Sequence, residues 1–259
     1  MTEQEIHKYL RTKIFGRKLF CFETVDSTNL YAKSLMEQEF EEGILVIAEN
    51  QTAGRGRLGR TWQSESGKNL TFSILLKPKI SPESVGVLSM YASLAVAEAI
   101  QEISALAPEC KWPNDVLVDE KKLCGILSEA VFHHEKLSGV IIGIGLNVNQ
   151  TAFLPPLERS ATSLALVLGS VFDRVQVLTC ILQKLELWYA YLQRGQLQEI
   201  LSQWQKHTTM FGKELAIDEQ GRQMKGIAKS LDIDGGLIVS VNGIEKKILA
   251  GDVTILEQH

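Results

Sequence analysis

Two stretches of this chain concentrate residues able to do chemistry. "QTAGRGRLGRTW", residues 51–62, alternates Arg55, Arg57 and Arg60 with Gly54, Gly56 and Gly59 and closes on Trp62. A guanidinium offers forked donors that match a carboxylate or a phosphate, and glycine lets the backbone fold such groups over an anion. "KWPNDVLVDEKKLCGIL", residues 111–127, sets Lys111, Asn114 and Asp115 around Trp112-Pro113, and places Lys122 just ahead of an apolar run that begins Cys124-Gly125. A lysine at the entry to such a strand can direct its ammonium into a cleft. Cations on pliable backbone, with an amide and a carboxylate nearby, describe a place where anionic reactants are brought together.

Simpler readings compete with this one. Residues 54–61, G-R-G-R-L-G-R-T, come close to the phosphate-loop pattern, but arginine stands where its lysine belongs. The segment also runs into turn residues and a strand, whereas a phosphate loop must feed a helix N-terminus. A Gly/Arg run is often a solvated turn. Its position at the end of an apolar strand, between Gln51 and Trp62, favours a local anion site instead. An RGG-type nucleic-acid segment would need repeats and a basic surround. His133-His134 with Glu135 fall between two strands, where adjacent side chains point apart and no further ligands cluster. They read as a solvated hairpin turn, and no resident metal site is expected.

These residues need a scaffold. "LFCFETV" (19–25) reads as a strand, and "DSTN" (26–29) offers N-caps to a helix carrying Leu30 and Leu35. Strands follow at 43–50, whose end releases the arginine stretch, and at 69–76, stopped by Pro78. Residues 83–105 have helical periodicity, strands return at 115–119, 124–132 and 139–149, and two helices follow with Trp188, Tyr189 and Trp204 on their apolar faces. Beyond about Phe211 the pattern becomes short strands between glycine turns, with Asn242-Gly243 marking a two-residue hairpin. The expected fold is an α/β (α+β) mixed-sheet core over residues 1–210 and a small β-barrel-like domain over 211–259 that must lean on it.

Composition narrows the partners. The chain has 259 residues, 45% apolar and 22% charged, with a formal charge of −4. That balance argues against a general basic face for nucleic acid or anionic membrane. Four cysteines without a C-x-x-C pair, and neither a signal peptide nor a long apolar span, point to the reducing cytoplasm.

Taken together, "DSTN", "QTAGRGRLGRTW", "KWPNDV", "KKLCGIL" and "GIGLNVN", in this order, resemble the biotin protein ligases from about residue 19 to the C-terminus. The resemblance implies a core like that of class II aminoacyl-tRNA synthetases and biotin ligases, followed by an SH3-like barrel. It implies a two-step reaction. Biotin carboxylate attacks the α-phosphate of ATP, with Mg²⁺, giving biotinyl-5′-AMP; a lysine of a biotin carboxyl carrier domain, that of acetyl-CoA carboxylase, then takes the biotinyl group.

By this resemblance Ser27, Thr28 and Asn29 meet the ureido end of biotin, Gln51 faces the ligand, and Gly54, Arg55, Gly56 and Arg57 wrap it. Lys122 touches both the biotin carboxylate and the α-phosphate, and Gly125 leaves room for the ligand. Arg57, Arg60, Lys111, Asn114, Asp115, Lys122 and Asn147 form the ATP side, with Lys122, Arg57 and Asp115 the catalytic set. Asp115 either holds Mg²⁺ or positions the acceptor lysine and takes its proton. Gly143 and Gly145 either leave room for ligand or pack within the sheet. Lipoate–protein ligases and octanoyltransferases resemble the same core but lack K-W-P-N-D. A non-catalytic biotin-binding regulator would not need Lys122, Asn114 and Asp115 beside an intact arginine loop. Family members that repress transcription carry an N-terminal helix-turn-helix; only a short stub precedes residue 19, so sequence-specific DNA binding is not expected. "GVIIGIGLNVN" is either an open sheet edge that pairs with a carrier or a second copy, or a central strand, leaving monomer or homodimer open.

Overall fold

The computed structural model describes residues 1–256 except Gln38, Glu135 and Gln220. The chain begins α1 (Glu3–Tyr9), β1 (Leu19–Val25), α2 (Thr28–Leu35), β2 (Leu45–Gln51), β3 (Leu70–Leu76) and α3 (Val87–Ser104). It continues β4 (Glu109–Lys111), β5 (Asp115–Val118), β6 (Lys121–His133) and β7 (Lys136–Leu146). These seven strands make one sheet in the order β1-β2-β3-β7-β6-β5-β4. Only β1 and β2 run parallel, so the sheet is mixed. After α4 (Leu164–Leu168), α5 (Arg174–Gln193) and α6 (Leu197–Lys206), a second, antiparallel sheet is built from β8 (Glu214–Glu219), β9 (Arg222–Leu231), β10 (Leu237–Val241), β11 (Ile244–Ile248) and β12 (Asp252–Ile255).

Alternation along β3 sorts the layers. Phe72, Ile74 and Leu76 join the main core with Tyr91, Leu94, Leu185 and Trp204 from α3, α5 and α6. Leu75 faces the other way, into a smaller cluster with Ala32 of α2, Val46 and Ile141. Both faces of the sheet are therefore covered at this end, while α2 covers only part of the second face. Trp188, Tyr189 and Trp204 are buried, as their helical spacing predicts.

The stretch Pro82–Ser104 is long and apolar enough to cross a membrane by length and composition, but it is mostly buried as the central core helix, α3 with a preceding 3₁₀ turn. Of the two readings left open for residues 139–149, the central strand holds, because β7 lies between β3 and β6, and β1 and β4 are the edges. Strand β6 starts at Lys121, so Lys122 lies within it. The histidines also differ: His133 and His134 are exposed at the end of β6 with ring centroids 4.3 Å apart, in contact and not splayed. Glu135 lies outside the described residues.

The second sheet is wedged against the first by a close backbone approach. The Trp112 indole N–H donates to the carbonyl of Gly235 at 3.0 Å. Beside it, a Cβ added to Gly86 would sit 2.6 Å from the Asp234 carbonyl oxygen. Asn242 and Gly243, at φ 51° and 82°, close the β10–β11 hairpin as their sequence predicts. Gly86→Ala must push the Asp234 turn away, and is expected to lower stability by about 1–3 kcal/mol in chemical denaturation.

Candidate active site

Strand register makes the floor of the site. Thr71 pairs with Gly145, Gly145 with Gly125, and Gly125 with Asp115, so one row crosses β3, β7, β6 and β5. Directly paired residues share a face of the sheet, and the two central positions of this row carry no side chain. The neighbouring row runs Ser73–Gly143–Leu127. A cavity of about 380 Å³ lies over this bare patch, on the face that α2 leaves partly uncovered. Its volume suits a small organic ligand.

Side chains from elsewhere rest on the glycines. Asn29 lies against Gly143 and the Trp62 indole against Gly145, both closer than any Cβ would allow. At Gly125 an added Cβ would meet Lys122 Cε and Trp62 Cζ3, each at 3.0 Å. The glycines do pack, but against side chains of the site itself.

One end of the cavity is polar and uncharged. Ser27 is the N-cap of α2, yet its side chain makes no capping bond; the expected cap is supplied by Gln51 of β2. Gln51 Oε1 accepts from the Thr28 N–H at 2.7 Å and lies 3.1 Å from the Thr28 hydroxyl. The fully buried Ser73 hydroxyl lies 2.7 Å from Thr28 Oγ1 and 2.6 Å from Asn29 Oδ1. Two hydroxyl protons thus serve three oxygen–oxygen contacts. One acceptor is left short of a donor, so this end is suited to ligand N–H groups.

The arginine stretch forms a small hairpin over the cavity. Trp62 N donates to Gly54 O at 3.1 Å and Gly56 N to Arg60 O at 2.7 Å. The turn passes through Leu58 and Gly59 at φ 54° and 74°. Gly54 is required by a close approach: a Cβ there would come within 2.5 Å of the Trp62 carbonyl oxygen.

The other end of the cavity is cationic. Arg57, Arg60 and Lys122 stand there with Asp115 and Asp252, and Arg55, beside Glu129 toward the neutral end, makes four cations lining the cavity against two carboxylates. Lys122 Nζ lies 2.7 Å from Asp115 Oδ1. Arg57 donates to Asn114 Oδ1 at 2.9 Å, and Asn114 is oriented by its own donation to Ile126 O at 2.7 Å. Arg60 pairs with Asp252 of β12, whose other oxygen is 4.0 Å from Arg57. Burial lowers the pKa of Arg57, while Asp252 and Asp115 only partly offset the loss of water. An under-compensated guanidinium of this kind gains from a bound anion. Lys122 is held in position by its backbone, which bonds to Ser160 O at 2.8 Å and accepts from Thr162 N at 3.0 Å. Asn147 lines the same region, its amide donating to Thr162 O at 3.0 Å. Cys124 sits beside Lys122, but burial pushes its thiol far above the ordinary range and keeps it protonated.

Of the residues singled out from the sequence, Ser27, Thr28, Asn29, Gln51, Arg55, Gly56, Arg57, Arg60, Asn114, Asp115, Lys122, Gly125 and Asn147 all line this one cavity. Gly54 forms the base of the hairpin, and Lys111 lies on edge strand β4; neither is among the lining residues. Sequence reasoning passed over Ser73, Glu129, Asp252 and Gly251. Glu129 follows Gly125 and Leu127 as a polar residue on one period-two face of β6, and Ser73 shares its face of apolar β3 with Thr71, a signal that could have exposed them. Nothing local marks Asp252.

A model of the biotin/lipoate A/B protein ligase family matches residues 21–147. The bifunctional ligase/repressor BirA of Bacillus subtilis is 34% identical over 98% of this chain and 79% of its own length. The biotin–[acetyl-CoA-carboxylase] ligase of Mycobacterium tuberculosis is 31% identical, covering 95% of this chain and 94% of that protein. The chain belongs to the biotin protein ligase family. Among solved structures, the Aquifex aeolicus biotin protein ligase in complex with biotin and ATP superposes with a TM-score of 0.80 at 31% identity, over 93% of this chain and all of that one. The biotin protein ligase likeness therefore extends through the second sheet.

Two substitutions probe the floor and the latch. Gly145→Ala must displace the Trp62 indole; a loss of ligand affinity measured by calorimetry, with a cooperative melt retained, is the expected outcome. Asp252→Asn removes a pair whose arginine is 66% exposed. It is expected to change stability by less than about 1 kcal/mol while speeding tryptic cleavage at Arg55–Arg60.

Proposed function

We propose that biotin and ATP meet on the glycine floor, biotin with its ring end toward Thr28, Asn29 and Gln51 and its carboxylate under Arg57 and Lys122. The chain is an ATP-dependent biotin ligase that activates biotin and passes it to a carboxylase. The observation that carries the residue assignment is the polarity of one cavity: neutral and acceptor-rich at one end, cationic at the other. A urea-like ring with a carboxylate tail matches that gradient.

In the first step a carboxylate oxygen of biotin bonds to the α-phosphorus of ATP, the bond to the β-phosphate bridge breaks, and pyrophosphate leaves. Two anions must approach, and Lys122 and Arg57 screen their repulsion. As charge grows on the phosphoryl oxygens these cations gain strength in a site shielded from water. Arg60 and Asn114 are assigned to the phosphates, Asn147 to the nucleotide side, and the Trp62 face offers a stacking surface for a base. In the second step the acceptor amine attacks the acyl carbon, the bond to AMP breaks, and the amine gives up a proton. The hairpin that carries Arg55 and Arg57 shields the mixed anhydride from hydrolysis in between.

Mg²⁺ is assigned as the companion of the ATP phosphates, where it would neutralise charge. Asp115 is a cavity carboxylate able to share in holding it, and small hard cations are commonly bound by one or two carboxylates plus substrate phosphates. Asp115 could instead receive the acceptor amine. Asp115→Asn separates the two uses: a metal role predicts loss of pyrophosphate release, an acceptor role predicts that pyrophosphate is released and only carrier labelling fails. We further assign residues 1–210 to the catalytic domain, 211–259 to the small domain, and the chain to the cytoplasm. All four cysteines are unpaired, which supports a reducing compartment.

The test is pyrophosphate release with ATP and biotin, followed by labelling of a purified biotin carboxyl carrier domain. Lys122→Ala is expected to slow adenylate formation by about 10²–10³-fold, the scale of losing one transition-state donor. Turnover with lipoate and none with biotin would overturn the substrate assignment.

A further inference from the structure

A path of close polar contacts leaves the arginine hairpin at one end and returns to it at the other. It runs from Gln51 through Thr28, Ser73 and Asn29, over contacts of 3.1, 2.7 and 2.6 Å. From Asn29 it continues to Glu129, whose Oε2 accepts from Asn29 Nδ2 at 2.6 Å. The other oxygen of Glu129 lies 3.8 Å from the Arg55 guanidinium. Gln51 stands at the start of the hairpin and Arg55 on its first arm, so the path closes on the loop. Glu129 does not line the cavity. It reaches the site because β6 alternates: Gly125, Leu127 and Glu129 share the face that forms the floor.

We propose that Glu129 is a positioning residue for biotin binding, setting the orientation of the Asn29 amide and holding Arg55 of the hairpin over the ring end of the cavity. The reason lies in donor and acceptor counting. A carboxylate only accepts, so Asn29 must turn its Nδ2 toward Glu129. That leaves Asn29 Oδ1 on the Ser73 side, over Gly143, where the cavity is short of donors. Without Glu129 the amide keeps only a long donation to Leu127 O at 3.4 Å to set this orientation, and a flipped amide would present a donor to ligand donors. The second oxygen acts on the loop. Arg55 is half exposed, so its attraction to Glu129 is screened and weak enough to release when the ligand leaves. One carboxylate thereby ties correct construction of the ring end to closure of the hairpin.

The proposal rests on the biotin-ligase reading, and the experiment separates the two. Biotin affinity is measured by calorimetry without ATP, and kcat and both KM values by pyrophosphate release, for the parent, Glu129→Ala, Glu129→Gln, Arg55→Ala and the double variant Glu129→Gln/Arg55→Ala. Glu129→Ala should raise the Kd and KM for biotin about tenfold, with kcat and the KM for ATP within about twofold, the scale of one hydrogen bond to a charged group. Glu129→Gln keeps an oxygen for Asn29 but loses the charge, and should raise them about threefold, as Arg55→Ala does. The double variant should be no worse than Arg55→Ala alone, because the two changes remove one shared contact. Near-isosteric Glu129→Gln keeps the test valid should the alanine variant melt early. With an active parent, an unchanged biotin Kd in Glu129→Ala, an equal fall in ATP affinity, or a double variant whose effects multiply overturns the proposal. A parent that neither binds biotin nor releases pyrophosphate overturns the ligase reading and the proposal with it.

Discussion

The pairing of Gly145 with Gly125, between Thr71 and Asp115, is the constraint on which the site depends. A sheet face covered by ordinary side chains has no room for a ligand lying flat on its backbone. Two glycines in register clear that room across adjacent strands, and Gly143 extends it by one row. Register also decides what borders the clearing: a slip of one residue in β6 would turn Gly125 to the core face and present Cys124 or Ile126 to the cavity. The same alternation carries Leu127 and Glu129 along the floor. Trp62 and Asn29, which come from outside the sheet, can rest on the backbone only because no Cβ stands beneath them.

A cleft built to attract anions must also hold its cations while no anion is bound. Here each is matched to a weaker protein partner: Lys122 to Asp115, Arg57 to the neutral oxygen of Asn114, Arg60 to Asp252, and Arg55 to Glu129. Four cations against two carboxylates within the cavity leave an excess that a carboxylate or phosphate can meet. The carboxylate partners are partly exposed, so exchanging them for a ligand costs little, whereas fully buried pairs would be hard to separate. Arg57, the more buried of the arginines, has a neutral amide as its closest partner and the most to gain from an incoming anion.

The second sheet belongs to this arrangement. Asp252 and the carbonyl of Gly251 face Arg60 and Arg57 from β12 and the turn before it. Trp112 ties the same sheet to the core through Gly235. The motif K-W-P-N-D therefore works in two directions. Its tryptophan docks the second sheet, while Asn114 and Asp115 turn into the cavity, two and three residues further on.

Much of this was legible before any coordinates. Local patterns predicted most of the strands and the long helices, and the Asn242-Gly243 turn is governed by the backbone conformation its own residues prefer. The inventory of the site was also local in origin, because the arginine stretch, D-S-T-N and the K-W-P-N-D segment each carry their chemistry in a few adjacent residues. By contrast, the central place of β7, the inclusion of Lys122 within β6 and the burial of an apolar α3 depend on which elements pack together. Ser73, Glu129 and Asp252 gain meaning only from partners distant in the chain, such as Asn29 for Glu129 at a separation of 100 residues and Arg60 for Asp252 at 192. The sequence by itself determined which groups were available and the local structures that carry them. Tertiary structure alone decided which groups meet, because hydrogen bonds and ion pairs act over a few ångströms and only the strand registers bring such distant residues that close.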